Sequence, residues 1–460
     1  MSENAPNEYD TSQRRGVDPS FVGDMEHAIE TAAREWLISE LHKIHPADAA
    51  DALEQLSAEY FEQAIAILGN DLSPDILIEL RDELRADAVD VLPDQAVADA
   101  IDELPSDDAA ALLDQVEEDR RETILEELEP ADRAALEQNL SFDEETAGRL
   151  MQREFVAAPE FWTVGHTVDH ARSTGENLPE QFFQIYVVDP AFRLKGAVPL
   201  ATMLRSPREM LLSDIMIEPQ TKITTGMDQE EVAYLFQKYG LVSAPVVDES
   251  DRITGMITVD DMVHVIQEEN TEDLLALSGV NSADGSDTAL DVVRARAPWL
   301  AINLGTAFLA SAIISLFEPA IDQIVALAIL MPVVAALAGN AGSQALAVAV
   351  RAIAEREMEG AASSRAVRRE LLAGVMNGII FAIGVGIIAG LWFRDWELAG
   401  VIAIAMLSTF IWAGLSGILV PLSLKRLGAD PAVASSVFVL TLTDVMAFFS
   451  FLGLATLLLL

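Results

Sequence analysis

Asp444 interrupts the closing run VFVLTLTDVMAFFSFLGLATLLLL (437–460), which is otherwise almost wholly apolar. A carboxylate in the middle of a membrane-spanning helix costs roughly 2.5–3.5 kcal/mol even on the most lenient scale, so such residues carry function by default. Three chemistries would accommodate it: pairing with a buried arginine, holding a proton, or facing a water-filled cavity. Arg351, the best-placed base, lies near a membrane boundary, and no other base lies well inside an apolar run. That favours an acid facing water, as in a cation pathway. A second polar set sits in PVVAALAGNAGSQALAVAVRA (332–352), where Asn340, Gln344 and Arg351 are offset by 4 and 11 residues. At about 100° per residue they fall within roughly 40° of one another on a helix face. This stripe either glues helices by hydrogen bonds or lines the same pathway. A third set, Glu268, Glu269, Glu272 and Asp273, precedes the apolar half. Like charges at spacings of three and four destabilise a helix, and bound cations would relieve them; a solvated acidic linker is the alternative.

The elements that must carry these residues follow from composition. Residues 1–290 hold 63 acidic and 19 basic residues, whereas 291–460 hold 11 and 10, within a chain of formal net charge −45. An acidic, polar front thus precedes a near-neutral apolar back. Only five lysines occur (Lys43, Lys195, Lys222, Lys238 and Lys425), which also fits a surface adapted to high salt. Such acidity argues against a nucleic-acid partner and is compatible with divalent cations. The absence of cysteine excludes disulfides and thiolate metal sites. Six histidines read as scattered, with none beside a nucleophile or a second ligand at metal-binding spacing, and no Gly-rich phosphate loop is present. An enzyme is therefore not expected. The opening MSENAPNEYDTSQRRG lacks an apolar signal core and reads as a disordered tail over 1–24.

Five apolar runs, at about 299–317, 321–350, 371–393, 398–420 and 433–460, are long enough to cross a bilayer. Arg294 and Arg296, then Arg351, Arg356, Arg365, Arg368 and Arg369, then Lys425 and Arg426 fall on one side. Glu318, Asp322, Arg394, Asp395 and Glu397 fall on the other. The positive-inside rule then sets the protein in the cell membrane as a multi-pass chain, with the front in the cytoplasm and the C-terminus outside. The pairs Gly374/Gly378 and Gly386/Gly390 have the spacing of close helix packing.

In the front, IHPADAADALEQL, VLPDQAVADAIDEL, ELPSDDAAALLDQV and LEPADRAALEQNL repeat one theme: Pro, then Asp, then Ala/Leu at helical spacing. Each is a helix start, and stacked short helices predict an acidic all-α repeat domain over 25–145. Residues 146–270 change to strand-like runs (QFFQIYVVD, LKGAVPL, SAPVVDE, RITGMITVDDM) alternating with helices. The second half reads βαββα and closely resembles a cystathionine-β-synthase (CBS) domain. The stretch 150–205 looks like a divergent first copy, making an α/β pair. Such pairs bind adenine nucleotides or cations. The family's ribose-binding acid falls at Asp260 or Asp261, Asp260 being the closer match; capping of the next helix is the alternative role. A connecting, plug-like helix is expected over 271–298 and an α-helical pore domain over 299–460.

The whole arrangement resembles the MgtE family of magnesium channels from about residue 25 to the end. The residues that carry this are GNAGSQ with Arg351, LFE ending at Glu318, KRLGADPAVASS, and TLTDV around Asp444. Ala338-Gly339 departs from the family's two glycines, and Gly414 stands where many members have Asn, which would remove a pore-side polar group. The resemblance implies a homodimer with one central pore and two Asp444 carboxylates opposed across the twofold axis. They would hold hydrated Mg²⁺ through its waters, joined by the Leu440 backbone carbonyl and Asn340. It also implies closure by internal Mg²⁺ bound to cytosolic acids. Asp214, Asp248, Asp260, Asp261, Glu268, Glu269, Glu272 and Asp273 are the nominees, with ATP or a related adenine nucleotide as a further ligand of the CBS pair. Two alternatives remain: a secondary transporter coupled to Na⁺ or H⁺ and carrying Mg²⁺, Mn²⁺ or Co²⁺, and a membrane-bound sensor without transport.

Overall fold

A computed structural model describes residues 18–173, 178–179, 181–219, 221–277, 280, 289–354, 356, 358 and 360–460. The described chain divides into two units at Ile266/Gln267.

The first unit begins with short helices. The tail expected over 1–24 lies outside the described residues up to 17, but from Pro19 the chain is already helical. Asp18 caps that helix, its side chain accepting from Ser20 N at 2.9 Å, and Pro19 supplies the fixed φ of a first turn. The Pro-Asp theme marks helix starts throughout. Pro46 and Pro130 open helices Pro46–Glu54 and Pro130–Leu140, while Pro93 and Pro105 cap Asp94–Glu103 and Ser106–Asp114. The helix Pro46–Glu54 buries its Ala/Leu face and turns its acids outward: Ala49, Ala50 and Leu53 are buried while Asp48 and Asp51 are exposed. Arg120 ties neighbouring helices together, donating to Asp94 at 2.7 Å and to the Val89 and Leu92 carbonyls at 3.1 Å.

Two three-stranded sheets follow, built by the same recipe. The first runs β1 (Ala157–Pro159), α1 (Val164–Ser173), β2 (Gln184–Val188), β3 (Leu194–Pro199) and α2 (Leu200–Arg205). The second runs β4 (Ile223–Thr224), α3 (Gln229–Tyr239), β5 (Ser243–Val247), β6 (Ile253–Thr258) and α4 (Val259–Leu277). In each, a parallel pair is followed by an antiparallel one, with a register shift one residue before the turn, at Val187/Val188 and Val246/Val247. The turns match as well. Asp189 accepts from Ala191 N and Arg193 N, Asp248 from Ser250 N and Arg252 N, and Phe192 and Asp251 share φ 62°. The stretch read as a divergent copy is thus a second CBS fold by register and turn geometry.

Among its described residues, the second unit contains five helices long and apolar enough to cross a membrane. They are α5 (Ala289–Ser315), α6 (Ala326–Ala354), α7 (Ala361–Phe393), α8 (Trp396–Arg426) and α9 (Pro431–Leu459). The second starts at 326, not 321, because Glu318–Gln323 forms its own short helix opened by Pro319. Of the connecting segment expected over 271–298, residues 271–277 end α4 and 289–298 begin α5; 278–279 and 281–288 lie outside the described residues. Both glycine pairs lie in α7, and the first packs closely on α8: a Cβ at Gly374 would meet the Phe410 carbonyl oxygen at 2.8 Å, and one at Gly378 the Leu407 side chain at 2.9 Å.

Candidate functional site

Within the second unit, α6 and α9 meet along a glycine seam. A Cβ added at Gly339 would lie 3.6 Å from Leu440 Cδ2; one at Gly342 would lie 2.9 Å from Thr443 Cγ2 and 3.1 Å from Val439 Cγ1. From the other side α8 closes on the same place, since a Cβ on Gly417 would sit 2.6 Å from Ala345 Cβ and 2.8 Å from the Gly342 carbonyl oxygen. The seam positions the polar residues. Asn340 follows Gly339 and Asp444 follows Thr443, so both flank the line of contact. Asn340, Gln344 and Arg351 are exposed, while Ala338, Gly342, Ala345 and Ala349 turn inward. Asp444 is half-buried, and among the described residues no charged group lies near enough to interact with it. Around it are Leu440, Thr441 and Thr443; the two threonine hydroxyls donate to the Val437 and Leu440 carbonyls at 2.6 and 2.9 Å.

Two expectations change here. The Leu440 carbonyl lies in uninterrupted helix and already accepts the Thr443 hydroxyl, so neither lone pair is free in this conformation. Gly414 does not face Asp444; a Cβ there would press on the Glu370 carbonyl oxygen of α7 at 3.1 Å. An Asn at 414 would therefore act on helix packing.

Of the nominated acids, Glu268, Glu269, Glu272 and Asp273 occupy the second half of α4, Glu268 and Glu272 exposed. In the same turns Ala276 buries itself against Leu346 and Val350 of α6 and Ala432 and Val439 of α9.

The first unit gathers carboxylates differently. A cleft of about 670 Å³ is lined by Asp75, Asp102, Glu103, Asp107, Asp108, Asp132, Glu154, Asp260 and Asp261, without a Lys or Arg among its lining residues. Asp261 accepts from the Thr258 hydroxyl at 2.6 Å, and Glu154 from Ser106 Oγ at 2.9 Å. Burial, and then the charge of Asp261, push Asp107 well above the usual carboxylate range. The same two causes push Asp108 up to about 6, against the pull of Arg85. Burial and the charge of Asp260 raise Asp261, opposed by its bond from Thr258. The cleft therefore holds more negative charge than its surroundings balance. Asp107 and Asp108 escaped the sequence reading because some 150 residues separate them from Asp260. Their one local signal was the acid pair after Pro105.

Asp214 and Asp248 do not join this group. Asp248 closes the β5–β6 turn, and Asp214 is exposed on Leu212–Ile215. Among the described residues no three His, Asp or Glu side chains close on a common point as direct metal ligands. Not all six histidines are scattered: His166 and His170 stand four apart on α1, which is a metal-binding spacing.

Comparisons with known proteins agree along the chain. A family model described as a divalent cation transporter matches residues 331–454, one for the MgtE intracellular N domain matches 44–145, and a CBS-domain model matches 212–268. The magnesium transporter MgtE of Enterococcus faecalis is 32% identical over 321 residues, covering 70% of this chain and 71% of its own. That of Thermus thermophilus is 33% identical over 334 residues, covering 71% and 73%. A crystal structure of the cytosolic domain of the Mg²⁺ channel MgtE in complex with ATP is 30% identical, with a TM-score of 0.49, and covers 53% of this chain and 99% of that one. With its helical N domain, CBS pair and five apolar helices, this chain belongs to the MgtE family of magnesium transporters.

Proposed function

We propose that the chain forms a homodimeric channel that conducts Mg²⁺ passively into the cell and is closed by Mg²⁺ on its cytoplasmic side. The observation that carries this is Asp444: a half-buried carboxylate in a membrane helix with no charged partner among the described residues. A second copy related by a twofold axis would set another Asp444 opposite. A hydrated Mg²⁺ between them would supply the missing charge. Mg²⁺ sheds its waters reluctantly, so two carboxylates bind it through water and still let it leave. Asn340, exposed beside the same seam, would hydrogen-bond that water shell. The Leu440 carbonyl joins only if the Thr443 hydroxyl turns away. The arginines and lysines flanking the spans support a cytoplasmic front and an outer C-terminus.

Closure rests on the acidic cleft. Asp107, Asp108, Asp260 and Asp261 repel one another, and divalent ions with intact water shells would bridge them without direct ligation, which suits the lack of a three-ligand group among the described residues. Ion binding then favours the conformation that brings them together, by as much as its affinity differs between states. An adenine nucleotide at Asp260 would set its phosphates against these carboxylates, which favours its magnesium complex over the free anion. Exposed Glu268 and Glu272 would contribute where α4 packs on α6 and α9.

The test is Mg²⁺ flux into liposomes with the membrane potential clamped and no Na⁺ or H⁺ gradient. Flux should follow the potential, fall to background in Asp444→Ala, and decline as Mg²⁺ is raised on the cytoplasmic side. Flux that requires a Na⁺ or H⁺ gradient would establish the coupled exchanger, and wild-type flux in Asp444→Ala would remove the pore assignment.

A further inference from the structure

We propose that His166 and His170 form a site for a borderline divalent ion (Zn²⁺, Ni²⁺ or Co²⁺) on the first CBS copy, chemically separate from the carboxylate cleft. They lie on α1 in the sequence HTVDH, four residues apart and therefore on one face, about 5–6 Å apart at Cβ. That spacing lets two imidazoles reach one tetrahedral ion. Both rings are exposed, so an ion can approach from solvent.

Trp162 gives the pair a fixed platform. Its ring centroid lies 4.4 Å from that of His166 and 5.0 Å from that of His170, at interplanar angles of 90° and 77°. The backbone of Trp162 is itself held, its N–H donating to the Pro159 carbonyl at 3.0 Å and its carbonyl accepting from Leu212 N at 2.8 Å. Two imidazoles packed on one anchored indole have lost part of the rotamer freedom that chelation would otherwise cost.

The neighbouring residues define what the site does. Thr167 follows the first histidine where a zinc peptidase carries its catalytic Glu; it is buried, with its hydroxyl donating to the Thr163 carbonyl at 3.0 Å. Asp169 is engaged by Arg208 at 2.6 Å. Binding without hydrolysis is what remains. No third His, Asp or Glu among the described residues completes a ligand group, so water or an outside ligand fills the open positions. Imidazole suits Zn²⁺, Ni²⁺ and Co²⁺, whereas Mg²⁺ prefers oxygen. The pair would therefore report softer ions that carboxylates alone cannot tell from Mg²⁺.

The full-length protein in detergent, with Mg²⁺ in large excess to occupy carboxylates, is titrated with Ni²⁺ and followed by calorimetry and tryptophan fluorescence. The expected result is one Ni²⁺ per chain, quenching Trp162. Trp162→Phe should lose the quench and keep the calorimetric binding. His166→Gln or His170→Gln should weaken binding by at least the ~10–100-fold that loss of a mere outer-shell partner costs. Zn²⁺ binding retained in the double variant His166→Cys/His170→Cys would mark these positions as ligands and not as packing residues. Undiminished Ni²⁺ binding in His166→Gln/His170→Gln, a quench that survives Trp162→Phe, or no binding by the wild type would each overturn the proposal.

Discussion

Asp108→Asn tests the acidic cleft with a sign and a size. Burial and the charge of Asp261 lift Asp108 from 3.8 to about 6 in the folded chain. A shift of about two units corresponds to roughly 3 kcal/mol. Because the folded-state value is raised, the folded chain takes up a proton that the unfolded chain lacks between about pH 4 and 6. The cost is absent below pH 4, grows as pH rises, and is complete at pH 7. Asn mimics the protonated acid, so the variant should be more stable than wild type at pH 7 in chelator. At about 2–4 °C per kcal/mol for a unit of this size, the gain is roughly 6–12 °C in the midpoint of the first unit's transition. Thermal unfolding followed by near-ultraviolet circular dichroism reads it. The gain should vanish at pH 4 and shrink at pH 7 in millimolar Mg²⁺, which relieves the same repulsion in wild type. An equal gain at pH 4, or none at pH 7, would refute a charge-based origin.

Other outcomes follow from single contacts. Gly417→Val places side-chain atoms where Ala345 Cβ and the Gly342 carbonyl oxygen already lie within 3 Å; it should cost at least the ~1–3 kcal/mol of ordinary overpacking, read by unfolding in detergent. Arg120→Ala removes bonds to Asp94, Val89 and Leu92 and should destabilise the helical domain by about 1.5–3 kcal/mol, measured by urea unfolding of the full chain. Gly414→Asn should slow or weaken assembly of α7 on α8 with no change in ion selectivity among the molecules that fold, read by competition of Mn²⁺ with Mg²⁺ flux.

Local chemistry was legible where it is decided locally. Pro followed by Asp starts helices because a missing N–H and a negative charge both suit a first turn, and the starts at Pro46, Asp94, Ser106 and Pro130 follow. The βαββα order was readable because buried strands and amphipathic helices differ in period. Asp444 stood out because an apolar run makes any acid conspicuous. What escaped depends on the third dimension. Asp107 meets Asp261 only once the helical domain folds against the second CBS copy. The orientation of Gly414 toward Glu370 depends on the rotation of α8, which an all-round apolar helix does not encode. The Thr443 hydroxyl claims the Leu440 carbonyl through a side-chain rotamer that sequence does not specify. The helix opened by Pro319 was hidden inside an apolar run that length alone assigned to the membrane.

The contacts at Gly342 and Gly417 have a mechanical consequence. Where side chains separate two helices, rotamer changes act as springs and let the helices slide. At this junction α8 rests directly on the backbone of α6, and from α9 only the short β-branched side chains of Thr443 and Val439, stiff at χ1, intervene. The three helices behave as one stiff body, and Asp444 is mounted on it. A wall of that stiffness does not widen by flexing. On the channel reading proposed above, a path beside Asp444 would change width only when whole bodies shift, and the turns of α4 that bury Ala276 against α6 and α9 are where a lever would grip.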